Sequence, residues 1–177
     1  MKTFIALTFI GILTSAYSQS VQKCTTPTPV LDNFKAPNFH NGTWYVTHVK
    51  YVTIPTECRT LTTWQEGDMS YVQHEFTKNG KNGNLRCEAQ AKTKKRLSFT
   101  CKFNGERIDL TIFIVMASDY NDYALYYLCS TITGANADRK AGEIIENYLV
   151  ARRTSGNTEI PEQLKSLTAN LNLKKCT

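Results

Sequence analysis

The sequence predicts an all-β fold: eight antiparallel strands in up-and-down order, closed into a barrel and followed by one C-terminal α-helix. Three observations carry this expectation. Eight runs rich in β-branched and aromatic residues recur at short spacing along the 177 residues. Turn residues separate them, as hairpin connections require. Along the runs dry and wet positions alternate, which a closed barrel needs.

The first strand is predicted over 43–52 and the second over 57–65. Glu66-Gly67-Asp68 turns the chain into a third strand over 69–78. Asn79-Gly80-Lys81-Asn82-Gly83 leads to a fourth over 84–91, and the fifth covers 96–103. Asn104-Gly105 precedes the sixth over 107–117, and Asn121-Asp122 the seventh over 123–132. Gly134-Ala135-Asn136 comes before the eighth, over 145–153. In the fifth strand Leu97, Phe99, Cys101 and Phe103 share the dry side. In the sixth, Ile108, Leu110, Ile112, Ile114 and Met116 are read as dry, against Arg107, Asp109 and Thr111. Beyond Pro161 the period changes. Leu164, Leu167 and Leu171 fall at helical spacing, and Pro161 and Glu162 suit a first helical turn. A barrel of eight strands is wide enough to hold one small ligand, and closure leaves no exposed edge.

Residues 1–18 are predicted to be an export signal. Lys2 gives the positive end, Phe4 to Leu13 the apolar run, and Ala16 and Ser18 the small residues of a cleavage site. The run is too short to span a bilayer, and no later stretch is long enough. Removing 18 of 177 residues leaves 159, one domain over 19–177 with a core of its own. The formal net charge of +6 falls to +5 with the loss of Lys2. That modest excess favours anionic partners in general, and nucleic acid is not expected for an exported chain without a stacking motif. The six cysteines, an even number in an oxidising compartment and without any Cys-x-x-Cys pair, read as disulfides rather than zinc ligands. If strands four and five form a hairpin centred near Lys94, Cys87 and Cys101 lie directly opposite and can bond. The other four cysteines allow three pairings. Enzyme chemistry finds no foothold: no serine has a visible base and orienting partner, and no Gly-rich phosphate loop or metal-spaced cluster exists.

Three separated patches resemble the lipocalins. Gly42-Thr43-Trp44-Tyr45 resembles the Gly-x-Trp-Tyr opening of their first strand. Ser118-Asp119-Tyr120, with Tyr123-Ala124-Leu125, resembles the Thr-Asp-Tyr motif before their seventh. Arg152 or Arg153 ends the eighth strand, where lipocalins keep an arginine, and Pro161-Glu162-Gln163-Leu164 resembles the start of their terminal helix. More narrowly, Trp44-Tyr45-Val46-Thr47-His48, the cysteine layout, the run Asp119 to Cys129 and the tail from Asn157 to Lys174 are similar to the salivary lipocalins of blood-feeding triatomine bugs, in the triabin and procalin branch. The resemblance implies two further bridges, Cys24–Cys129 and Cys58–Cys176. It implies a structural floor of Trp44, Asp119, Tyr120 and Arg152, with the arginine stacked over the indole. It also implies secretion in saliva and a role against host haemostasis or inflammation. Members of this group sequester eicosanoids or biogenic amines, carry haem and nitric oxide, inhibit thrombin through the surface, or act as allergens.

The cavity candidates are Val46, His48, His74, Phe76, Phe99, Leu110, Ile112 and Ile114, with Leu97 and Phe103 beside them. This lining suits a small hydrophobic or amphipathic ligand; alternatively, the side chains simply fill the barrel. His40 reads as exposed loop. His48 reads as a core histidine, inward if the first strand has no bulge, and His74 either as a ligand contact or as a second core histidine. Haem is not expected, because the aromatic residue in His74-Glu75-Phe76 is one position out of step with the haem-binding relatives. Lys50 and Arg59 are candidate cations for a ligand carboxylate. Asp119 and Asp122 could meet an amine but read first as turn residues. Lys92, Lys94, Lys95 and Arg96 read as a solvated hairpin tip. Asn41-Gly42-Thr43 is a glycosylation sequon. The expected protein is a monomeric binder without cofactor, whose partners are a small ligand or a host clotting protein.

Overall fold

The computed structural model describes residues 23–52, 58–78, 81–90, 95–134 and 140–176. The export signal and Lys92 and Lys94 lie outside these residues, as does the side chain of Phe76. A short helix α1 (Ala36–Phe39) leads into β1 (Gly42–Val49) and β2 (Thr60–Glu66). There follow β3 (Met69–Lys78), β4 (Lys81–Gln90), β5 (Leu97–Phe103), β6 (Glu106–Ser118), β7 (Tyr123–Ile132) and β8 (Ile144–Arg152). Helix α2 (Glu162–Thr168) and a two-residue strand β9 (Lys174–Lys175) complete the chain. The eight long strands pair antiparallel in chain order, and β1 pairs with both β2 and β8, so the barrel closes. Every predicted strand is present, with ends shifted by a few residues.

The three disulfides are Cys24–Cys129, Cys58–Cys176 and Cys87–Cys101. Cys87 and Cys101 are register partners in β4 and β5, the alignment that the hairpin argument requires. The other two fasten chain ends. Cys24 ties the incoming segment to the outside of β7. Cys176 ties β9 to the segment before β2.

The molecule buries two apolar layers. The inner one fills the barrel, with Trp44, Val49, Leu97, Phe99, Phe113, Val115, Tyr126 and Leu149 among its members. The outer one lies between the sheet and α2, where Leu164 packs over Ile114, Met116, Leu125, Tyr127 and Val150. Strands β6 to β8 are therefore apolar on both faces.

That second layer corrects the reading of β6. Leu97, Phe99 and Cys101 face inward, and their partners across the ladder are Phe113, Thr111 and Asp109. The inner face of β6 is thus Asp109, Thr111, Phe113 and Val115. Leu110, Ile112 and Ile114, expected in the cavity, are on the outside: Ile112 and Ile114 belong to the layer beneath α2, and Leu110 is 39% exposed. The apolar run was matched to the wrong face because a helix, not the cavity, dries it.

A bulge corrects β1. Val46 pairs with Ala151 and His48 with Val150, so Thr47 is the extra residue. One added residue reverses all that follows. His48 and Lys50 therefore point outward. His48 lies under β9, opposite Lys175, with Nδ1 3.1 Å from Thr47 Oγ1. Lys50 sits over the rings of Tyr51 and Tyr148.

Candidate functional site

The inside of the barrel has a closed end and a polar far end. At the closed end, α1 places Phe39 in the lumen, its ring stacked 4.9 Å from Trp44. The indole Nε1 donates to the Phe39 carbonyl at 2.9 Å. Phe34, Phe113 and Tyr126 close in around Phe39, 5.2–6.2 Å between ring centroids. The cation over Trp44 is Arg153, 3.7 Å from the ring centre, and not Arg152. Arg153 also donates to the carbonyls of Asn38, Phe39, Thr43 and Tyr120, so one guanidinium staples α1, β1 and the turn before β7 to the end of β8. Arg152 points to the outer side. It binds the Asp122 carboxylate at 2.8 Å and the Glu159 carbonyl at 2.8 Å, fixing the approach to α2. The reason is parity: Ala151 is inward, so Arg152 is outward, and only the residue past the strand end can curl beneath the floor.

Asp119 accepts from the amides of Asn121, Asp122 and Tyr123, at 2.9–3.1 Å, as a turn residue does. Tyr120 stacks on Phe34 and accepts a hydrogen bond from the Lys35 amide. Asn41 is exposed just before β1.

His40 is not an exposed loop residue. It is 1% exposed, the residue that closes α1, and its ring meets Phe34, Phe39 and Phe99 edge-on. Burial, and then the charge of Arg153, lower its pKa to about 3, so the ring is neutral. Nothing in the residues around His40 announced this, because a four-residue helix at a strand entrance has too little periodicity to read.

Toward the far end the wall changes character. Val46, Val72 and Phe99 face inward; His74 does too, buried between β3 and β4. Arg59 Nη1 donates to His74 Nε2 at 2.9 Å. The histidine is consequently an acceptor on Nε2 with its proton on Nδ1. Burial, with Arg59 adding to it, holds its pKa down to about 2. Asp109 and Thr111 stand on the inner face of β6, separated from β3 by β4 and β5. Thr111 Oγ1 is 2.7 Å from Asp109 Oδ1 and 2.6 Å from Ser130 Oγ. Burial raises the Asp109 pKa, opposed by the Thr111 hydrogen bond and the charge of Arg59. Asn147 anchors the chain at this end. Its Oδ1 accepts from the amides of Lys50 and Tyr51, and its Nδ2 donates to the Tyr51 carbonyl.

The structure thus brings together Val46, His74 and Phe99 from the expected cavity set, adds Arg59, and leaves out His48, Leu110, Ile112 and Ile114. It adds Asp109 and Thr111, which the alternation placed on the wet side, together with Ser130, which it had not placed. The readable signal for them was the ladder itself: Asp109 is the cross-strand partner of Cys101, whose inward parity was clear.

Comparison with known proteins agrees with this architecture. The sequence model of the Triabin family matches residues 20–167. Procalin of Hospesneotomae protracta is 45% identical over 177 residues, covering 99% of each chain. Triabin of Meccus pallidipennis is 32% identical over 161 residues, 90% of this chain and 96% of that one. Among solved structures, the LTBP1 complex with leukotriene C4 is similar, with a TM-score of 0.61 and 26% identity over 84% of this chain and 90% of that one. A biogenic amine-binding protein shares the fold, with a TM-score of 0.57 at 18% identity over 84% and 79%. A barrel closed by Trp44 and Arg153, matched by family over most of its length, makes this chain a member of the Triabin family with the lipocalin fold.

Proposed function

We infer that this chain is an exported salivary lipocalin that scavenges a small mediator of host haemostasis or inflammation inside its barrel. Removing a mediator needs tight binding and no turnover. The observation that carries this reading is the apolar inner wall that ends in the Arg59–His74 pair. Such a lumen accepts a hydrocarbon body and offers one permanent cation to its polar end. An eicosanoid-like acid fits better than an amine. Arg59 carries a guanidinium, which stays protonated, whereas Asp109, the carboxylate that its charge reaches among the described residues, is pushed toward its neutral form by burial. The leukotriene C4 complex of a relative 26% identical supports the same choice. His74 is read as a polar wall group, since its Nε2 lone pair is engaged by Arg59.

Calorimetric titration of the purified protein with leukotriene C4 and with tryptamine tests this. The acid should bind, and Ala89→Trp, which fills the lumen, should abolish binding. Arg59→Gln should weaken it about tenfold or more, the worth of a charge-assisted hydrogen bond. The competing reading is surface inhibition of a clotting protease. It predicts slower clotting with purified thrombin, unchanged by Ala89→Trp, and no heat with either mediator.

A further inference from the structure

Buried polar groups in folded proteins nearly always find a partner, and one that does not calls for an explanation. The closed half of this barrel holds three. Among the described residues neither ring nitrogen of His40 makes a hydrogen bond of good geometry, and the backbone carbonyl of Tyr71 is a loose partner for one of them at most. Ser70 is fully buried with its Oγ unpaired, and Gln65 Oε1 is buried and unpaired as well. The backbone gathers these groups in one region. Ser70 and Gln65 are opposed residues of β3 and β2. His40 lies close enough to the backbone of Tyr71, the residue after Ser70, to feel its carbonyl. On the other side Ser70 faces only Ala89 of β4. Small side chains therefore stand across from an aromatic cage made by Phe39, Phe99 and Phe113 around the imidazole. A phenylalanine at position 40 could occupy that cage without burying an unpaired ring nitrogen. The imidazole costs stability that packing does not return.

We propose that His40, Ser70 and Gln65 form a hydrogen-bonding subsite in the closed half of the barrel that takes an uncharged hydroxyl group carried by an apolar ligand. This rests on the reading that the barrel binds a small molecule. A neutral imidazole has one donor and one acceptor nitrogen, and a hydroxyl supplies the complement of either. The serine hydroxyl and the glutamine carbonyl add a rotatable donor and an acceptor. No charged side chain belongs to the group, so an anionic head gains no partner here and stays with Arg59 at the far end. The ring faces of the cage accept the hydrocarbon next to the hydroxyl.

The test is calorimetric titration of the disulfide-intact protein with 1-naphthol and with 1-methylnaphthalene, which share a shape and differ in the hydroxyl. The ratio of their affinities should fall about three- to tenfold in His40→Phe, the worth of an ordinary hydrogen bond. Ser70→Ala should lower the ratio in the same direction and decides the matter if the position-40 variant does not fold. A ratio that both variants leave unchanged overturns the subsite while the barrel reading stands. So does a crystal structure of the 1-naphthol complex with ordered water, not the naphthol oxygen, on His40 and Ser70. If neither compound binds, the subsite and the barrel reading fall together.

Discussion

Two adjacent arginines at the end of β8 show how much one position decides. Arg153 crosses the Trp44 ring and donates to four carbonyls, while Arg152 pairs with Asp122 outside. Arg153→Ala should therefore cost about 3 kcal/mol in urea denaturation, and Arg153→Lys should recover little of it, because an ammonium cannot both stack and fork. Two of the three buried histidines, His40 and His74, make stability depend strongly on pH. Both are neutral in the fold, with pKa values of about 3 and about 2 against 6.5 unfolded. The unfolded chain therefore binds more protons below pH 6.5. Their contribution is complete above that pH and is lost as pH falls toward 3, at up to about 1.4 kcal/mol per pH unit for each ring. Denaturation midpoints measured from pH 7 to pH 4 should fall steadily, and His40→Phe should flatten the slope.

At the level of elements, strand existence was legible and strand orientation was not always so. Alternation placed Leu97, Phe99 and Cys101 correctly because β5 is wet on its outer face, with Ser98 exposed and Thr100 and Lys102 partly so. The same test failed on β6 because α2 dries its outer side. A residue count also misjudged β1: Thr47 is an extra residue, and nothing in Trp44-Tyr45-Val46-Thr47-His48 announces a bulge. The tail strand β9 was missed because two lysines carry no pattern; it exists because β1 offers a partner edge and Cys176 a tether. The face assignment has a direct check. Phe113→Ala should cost about 3–5 kcal/mol and Leu164→Ala about 2–5 kcal/mol, as buried truncations do. Leu110→Ser, at an exposed site, should stay within about 0.5 kcal/mol of the parent protein. Were β6 facing as the sequence suggested, the order of Phe113 and Leu110 would reverse.

On the scale of the whole molecule, the cysteines divide their labour. Cys87–Cys101 joins neighbouring strands, while Cys24–Cys129 and Cys58–Cys176 close sequence separations of 105 and 118 residues. For loops of that size the chain-entropy model expects about 4–5 kcal/mol each, against about 3 for a short one. The bridge at Cys58 does more than restrain the unfolded chain. It sits beside Arg59 and ties that residue's neighbour to the C-terminal strand β9. Cutting that tie would leave the barrel walls intact and loosen the hold on Arg59. A Cys58→Ser, Cys176→Ser double variant should therefore take up its guest as readily at equilibrium yet release it sooner, a difference that stopped-flow dissociation would register as a shorter residence time. Under the scavenger reading, residence time matters as much as affinity, and a covalent tie beside the charged end of the lumen is where the chain sets it.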